Sequence, residues 1–428
     1  MFRPVENGAD TRSSSDSSLR EEYQVGGCIR DSSDVSIMDE YDVVVVGGGV
    51  AGVSAAIQAK REGCRTLLLE KGIMLGGLAT LGLVGIYLPL CDGNGQQVAA
   101  GLAEELLHLS IKYSYNDLDP YWLKQGEELL PTSRYQSAFA PMGFALSLDE
   151  IIQEEQVDVL FDAVFSRIIA EDLFDSVLIV ETKAGRVGFR TRVVVDATGD
   201  ADVLFRAGAP CIEADNWLSY WGYTTSMKQI RTAVETGNIQ DAVVLHMLGG
   251  LADGSKAPDT AKYKGTCPYE ITRFVLAGRK LLLDQIKDKI GEDIIPLTLA
   301  AMPQLRTTRR LSGLYELTTG DAQRRFADSI GCIGDWREAG PVYEIPYRSL
   351  VCHETPNIIS AGRCISAAGG AWEVTRVIPA AAVTGQAAGC AAAMAVEQER
   401  AFADLELRDL QERLESAGVI THNPGACD

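Results

Sequence analysis

Tyr41-Asp-Val-Val-Val-Val-Gly-Gly-Gly-Val-Ala-Gly52 is the stretch whose reading decides the fold of this chain. Four consecutive valines without polar alternation fit a strand covered on both faces. The run ends in glycines at 47, 49 and 52, the spacing of a strand–turn–helix unit that cradles a dinucleotide. Gly47 permits the sharp turn, Gly49 lets the backbone approach a pyrophosphate, and Gly52 lets the helix over 53–61 pack tightly on the sheet. The N–H groups and positive dipole end at the start of that helix then face the phosphates. A second strand, Cys64-Arg-Thr-Leu-Leu-Leu-Glu70, follows. The carboxylate at its tip is placed to accept both hydroxyl protons of a ribose.

The 428 residues carry a formal charge of −20 and are 46% hydrophobic, so two intertwined domains with ordinary cores are expected. The acidity argues against nucleic acid and against an anionic membrane surface as partners. No stretch reaches the ~18 uninterrupted apolar residues of a membrane span; residues 377–396 come nearest. Ten cysteines, at 28, 64, 91, 211, 267, 332, 352, 364, 390 and 427, form no CxxC or CxxxC pair. That leaves a zinc ribbon, a local iron–sulfur site and a CxxC redox disulfide unsupported, and no metal is expected. Reduced thiols in a cytoplasmic enzyme are the reading that remains. Residues 1–39, rich in Ser, Asp and Arg and lacking a signal-peptide core, read as a disordered leader.

Past Glu70, the Gly76-Gly77 pair predicts a loop whose backbone passes close to a flat ligand. A helix is expected over 98–111, irregular chain over 112–144, and a helix over 146–155. Strands at 157–161, 163–170, 177–182 and 186–191 read as an antiparallel meander. A separate buried strand at 192–196 then enters the turn Ala197-Thr-Gly-Asp200. Strands return at 342–347 and 357–363, and 379–397 is a helix with Pro in its first turn. The expected fold class is α/β: a Rossmann-like domain, with a parallel sheet and an antiparallel meander, plus a mixed α+β substrate domain. The first domain takes residues 40–210, with an irregular insertion at about 91–145, and 341–400. The substrate or cap domain takes 211–340, and a C-terminal helix and tail take 401–428.

Four segments together, GGGVAG with Glu70, Gly76-Gly77, Val195 to Asp200, and Ala361-Gly-Arg-Cys-Ile-Ser366 with Arg376 and Gly385-Gln-Ala-Ala-Gly389, resemble the flavoproteins with two dinucleotide-binding domains. More closely, the chain resembles an FAD-dependent oxidoreductase family that shares MPQLRTTRRLSGLYELTTGD (Met302 to Asp321) and this C-terminal pattern. Flavoprotein subunits of fumarate reductase and succinate dehydrogenase are more distant. The resemblance covers roughly residues 40 to 397. It implies bound FAD, with the adenosine on Gly47, Gly49, Gly52 and Glu70. It places Gly76, Gly77, Ala79 and Thr80 on the flavin side and the Val164 backbone on the adenine. Ala197 and Gly199 would close over the pyrophosphate, and Ala51, Lys71, Asp200 and Ala381 complete the cofactor set. Gly362 and Arg363 stand where many flavoproteins have Gly-Asp, so which groups reach the ribityl chain stays open.

A flavin carries out hydride or electron transfer itself, while the protein supplies orientation and charge. Arg309 and Arg376 are the candidate catalytic residues, since an arginine can bind a substrate carboxylate or stabilise an enolate-like transition state. Arg306 and Arg310 are weaker candidates, and all four are equally readable as salt-bridge residues at a domain junction. His246, His353 and His422, the last in a frayed tail, read as structural or exposed. Tyr220, Trp221 and Tyr223 suit either an aromatic pocket or a core. Cys91 is a minor candidate for a covalent flavin link. The 379–397 helix either points its N-terminus at the flavin C2 carbonyl or is a plain Ala-rich core helix. No second strand–GxGxxG–helix unit appears, so no separate nicotinamide domain is expected. The function expected is hydride transfer between FAD and a small organic substrate, with arginine-assisted charge stabilisation. The alternatives are an electron-transfer subunit docking a redox carrier, or a redox-neutral flavoenzyme. Oligomeric state is not legible.

Overall fold

Seven strands assemble the main sheet of the computed structural model, which describes residues 34–122, 134–249, 261–288 and 293–425. They are β1 (Ser36–Val46), β2 (Thr66–Leu69), β3 (Asp158–Leu160), β4 (Val164–Asp172), β5 (Asp175–Thr182), β6 (Gly185–Asp196) and β7 (Ile358–Ser360). The order is β3-β2-β1-β6-β5-β4, with β7 also beside β6. Neighbours from β3 through β6 are parallel, while β4, β5 and β6 form the antiparallel meander. The α/β class and the meander are as expected, with one correction. The runs read as two strands at 186–191 and 192–196 are a single strand. β1 follows one edge of β6 throughout. The other edge changes partner, from antiparallel β5 up to Thr191 to parallel β7 from Val194. At that junction Asn357 donates its side-chain amide to the Ser176 hydroxyl at 2.9 Å and accepts from Val194 N–H through its carbonyl. β1 itself begins at Ser36, inside the stretch read as leader; residues 1–33 lie outside the described residues.

The valines at 43–45 are fully buried because helices cover the sheet. α1 (Val50–Arg61) runs from the glycine turn, α2 (Leu102–Lys112) and α3 (Pro141–Glu154) lie further along the chain, and α4 (Pro268–Lys287) belongs to the cap. α5 (Ile378–Gln398) packs on α1 with backbone touching backbone. A Cβ on Gly385 would collide with the Ala51 carbonyl oxygen, and one on Gly389 with that of Ala55. This is the physical reason for the small-residue stripe: two helices approach as closely as only glycine and alanine permit. α5 is long and apolar enough to cross a bilayer, but nearly all of it is buried in this core.

The chain leaves the sheet domain through Cys211–Glu213 and returns through Arg309–Leu311, two strands that pair antiparallel. Between them, strands Val244–Leu248, Tyr220–Thr225 and Ile295–Leu299 form an antiparallel sheet in that order, with α4 against it. Gly278 of α4 lets the Tyr220 ring lie against the helix backbone. Residues 313–340 are expected in this domain, but Leu317, Phe326, Ile330 and Ile333 join the main core beside α5. Apolar periodicity finds such strands without saying which core they enter. α6 (Leu407–Ser416) covers the far side. The segment after it is anchored rather than frayed: the buried Glu344 carboxylate accepts from Asn423 N–H at 2.9 Å and lies 3.1 Å from His422 Nδ1.

Candidate functional site

Three turns converge at the ends of β1, β2 and β6. Gly47, with φ +104°, rests so near the turn after β6 that a Cβ there would lie 2.5 Å from the Ala197 carbonyl oxygen. Gly76 N–H donates to the Gly48 carbonyl at 2.8 Å, laying the 76–77 loop over the glycine turn. A Cβ on Gly52 would collide with the Gly47 carbonyl, so this glycine serves close helix packing, as its spacing predicts. A Cβ on Gly49, by contrast, would meet nothing within 4 Å and would point into open space. α1 begins there with no side-chain cap and no acid in its first turn, leaving its first N–H groups to an anion.

Glu70 is 3% exposed and held from both sides: one oxygen accepts from Gly48 N–H at 2.7 Å and the other from Gly72 N–H at 2.6 Å. Each oxygen keeps a second lone pair, so the carboxylate is fixed and still able to accept.

Asp196, at the end of β6, organises the facing turn. One oxygen accepts from the Thr198 N–H and hydroxyl (3.1 and 2.6 Å), the other from Val203 and Leu204 N–H (both 2.9 Å). The second pair caps the short helix Asp202–Arg206, which starts after a left-handed residue, Ala201. Burial pushes the Asp196 carboxyl up to about 6, against the hydrogen bonds that favour its charged form. The sequence carries the signal for this role of Asp196: an acid at a strand end followed two residues later by Thr, a local acceptor pattern.

A cleft of about 270 Å³ opens between these turns. Of the expected cofactor residues it is lined by Gly47, Gly49, Ala51, Glu70, Lys71, Gly76, Gly77, Ala79, Val164, Ala197, Gly199, Gly362, Arg363 and Ala381. Arg376 and Ile378 reach it at the start of α5, whose first turn also lacks a side-chain cap. The start of the helix thus borders the cleft, while its glycines pack on α1. Met302, from the segment returning from the cap, adds to the wall, as do Phe165 and Arg206, which no motif marks.

Gly52, Thr80, Asp200 and Arg309 do not line the cleft. The Thr80 hydroxyl is buried and donates to the Leu75 carbonyl, and Asp200 pairs with Arg363 at 2.9 Å. Arg309 is a correction to the catalytic assignment. Its guanidinium is 8% exposed, donates to Asp202 (2.6 Å) and the Asp200 carbonyl (2.8 Å), and lies 4.0 Å from the Phe205 ring centroid. It staples the cap stem to the turn. Arg310 is likewise committed to Glu316 at 2.6 Å. His246 sits between Thr224 and Gln285 in the cap, and His353 is exposed. Tyr220 is a cap-core residue, and Cys91 is fully buried away from the cleft, its sulfur accepting from Tyr135 N–H. Burial also pushes the Cys364 thiol up to about 12, which keeps it from acting as a thiolate.

An open cleft at Gly49, uncapped helix starts at two walls and an oriented acid at the second strand fit an adenine dinucleotide, so fold and cleft define a dinucleotide-binding protein of α/β class. The chain belongs to the FAD dependent oxidoreductase family, whose profile matches residues 42–248 and 216–414. The cofactor of this family is FAD. Among curated relatives, it is 34% identical over 84 residues to thioredoxin reductase of Ureaplasma parvum serovar 3, covering 20% of this chain and 27% of that protein. It is 36% identical over 83 residues to fumarate reductase (cytochrome) of Shewanella frigidimarina, covering 19% and 14%. The matches thus span about a quarter or less of these relatives. Among solved structures, p-nitrophenol 4-monooxygenase PnpA from Pseudomonas putida DLL-E4 aligns with a TM-score of 0.46 at 14% identity, over 90% of this chain and 91% of that one.

Proposed function

We propose that the protein transfers a hydride between FAD and a small organic substrate bound where the cap meets the cleft. The observation that carries this reading is Arg376. It is a cation on the cleft wall, beside the first turn of α5 and on the same cleft as Met302 from the cap return. FAD bound in the cleft would supply the hydride chemistry. Glu70 would hold the ribose, the amides at Gly49 the pyrophosphate, and Gly76 to Ala79 would lie along the flavin. Arg376, steadied by the Glu373 carboxylate (Nε to Oε2 2.9 Å), would stabilise negative charge developing on the substrate. Of the two expected catalytic arginines, Arg376 alone lines the cleft. The eight described cysteines form no disulfide, which favours a reducing, cytoplasmic setting; the electron acceptor would be a small molecule or a redox carrier entering the same cleft.

The test is anaerobic flavin bleaching by candidate substrates, followed by deuteration of the donor C–H bond of any that bleach. A primary isotope effect on bleaching supports hydride transfer. Bleaching only by a protein donor, or turnover without any acceptor, overturns it.

A further inference from the structure

Four arginines around the cap stem and cleft are paired with carboxylates, while Arg206 is held by the Phe165 and Ser166 carbonyls. Arg309 has Asp202, Arg310 has Glu316, Arg363 has Asp200 and Arg376 has Glu373. Arg306 has no carboxylate partner among the described residues. Its Nη2 donates to the Ser219 hydroxyl at 3.0 Å, and its guanidinium carbon stands 5.9 Å from the Trp221 ring centroid. Its backbone is fixed: the buried Asn216 side-chain oxygen accepts from the N–H groups of Arg306 (2.6 Å) and Thr307 (2.9 Å). The neighbouring Leu305 carbonyl accepts from Arg363 at 2.5 Å, tying this segment to the cleft wall.

We propose that Arg306, with Ser219 beside it, anchors a carboxylate of the substrate at the cap side of the cleft. Arg306 stands within electrostatic reach of Arg363 and Arg376 on the cleft wall. Those two are ion-paired with Asp200 and Glu373, whereas Arg306 makes no ion pair among the described residues. Loss of solvent around this half-buried side chain, with Arg376 and Arg363 nearby and Glu373 opposing them, pushes the Arg306 guanidinium down to about 9, although a guanidinium does not deprotonate in proteins. A bound carboxylate relieves that pressure and can use the fork of N–H donors Ser219 leaves free. A neutral substrate relieves nothing. The proposal deepens the hydride-transfer reading by naming a substrate class, organic acids, and it makes Arg306 the residue that selects it.

The test is calorimetric titration of the FAD-loaded protein with acetate, oxalate and malonate, and with the neutral acetamide, oxamide and malonamide. At least one carboxylate should bind more than its amide. Arg306→Gln should weaken that binding by about tenfold to a hundredfold, the scale of a charged hydrogen bond, while FAD affinity stays unchanged. Arg306→Lys should recover part of the loss, and Ser219→Ala should weaken binding less than Arg306→Gln. Equal binding of acids and amides, binding of none of them, wild-type binding by Arg306→Gln, or loss of FAD together with the anion would each overturn the proposal. The calorimetry reads binding alone. If acids bind through Arg306 and no organic substrate bleaches the flavin, the assignment of Arg306 stands and the hydride-transfer reading falls.

Discussion

Replacing Asp196 by Asn tests the account of the turn that faces the glycine motif. The native carboxyl titrates near 6, against an ordinary value of 3.8. The folded protein therefore holds this proton more tightly than the unfolded chain. Its stabilising contribution is complete below pH 4 and is lost as the pH rises through 6. A difference of about two units corresponds to about 3 kcal/mol, of which roughly half falls between pH 5 and 7.5. Asn cannot titrate. Its NH2 must also face one of the two donor pairs that the carboxylate accepts, which costs about 1–3 kcal/mol. The amide is best turned toward Thr198, keeping its oxygen on the N–H groups of Val203 and Leu204. At pH 5 the variant should thus be the less stable protein. The gap should shrink by about 1.5 kcal/mol by pH 7.5. Urea midpoints of FAD-free protein at pH 5, 6, 7 and 7.5 measure this; the pI near 4.7 makes lower pH unsuitable, because near-zero net charge promotes association. Comparing variant with wild type cancels the other carboxylates. A constant offset, or a gap that widens with pH, would refute the reasoning and mean that the four donors outweigh burial.

Gly385→Val should force α5 off the Ala51 carbonyl, lowering stability by about 1–3 kcal/mol and yielding protein poor in flavin, read from the 450 nm to 280 nm absorbance ratio. Glu70→Gln turns an NH2 toward either Gly48 or Gly72 N–H and should raise the FAD Kd about tenfold or more in a flavin fluorescence titration. Arg309→Gln should lower the melting temperature and leave the flavin reduction rate per bound FAD unchanged, since its partners lie in the Asp200–Asp202 turn. Arg376→Gln should do the reverse, retaining the melting temperature within about a degree and slowing reduction by about tenfold to a hundredfold, measured by stopped flow.

The cofactor end of this protein was legible in the sequence because local geometry dictates it. A buried strand must be apolar on both faces, a turn at φ +104° requires Gly47, and an acid at the tip of the next strand needs only the right spacing. Those constraints act within some thirty residues, and the lining of the cleft follows them closely. The separation of Arg309 from Arg376 was not legible. Both directly follow a threonine and are chemically identical; only the fold puts Asp202 beside one and the cleft beside the other. Arg306 remained ambiguous in sequence for the same reason, since lack of a carboxylate is a property of three-dimensional neighbours. The joining of 186–191 with 192–196 into one strand depends on pairing with β1, over a hundred residues away, and the place of 313–340 in the main core depends on packing against elements distant in sequence. Sequence by itself determined the strand–turn–helix cradle and hence the class of cofactor, because those interactions are local. Tertiary structure alone decided which charges stay unpaired beside it, because charge balance is set by residues brought together from distant parts of the chain.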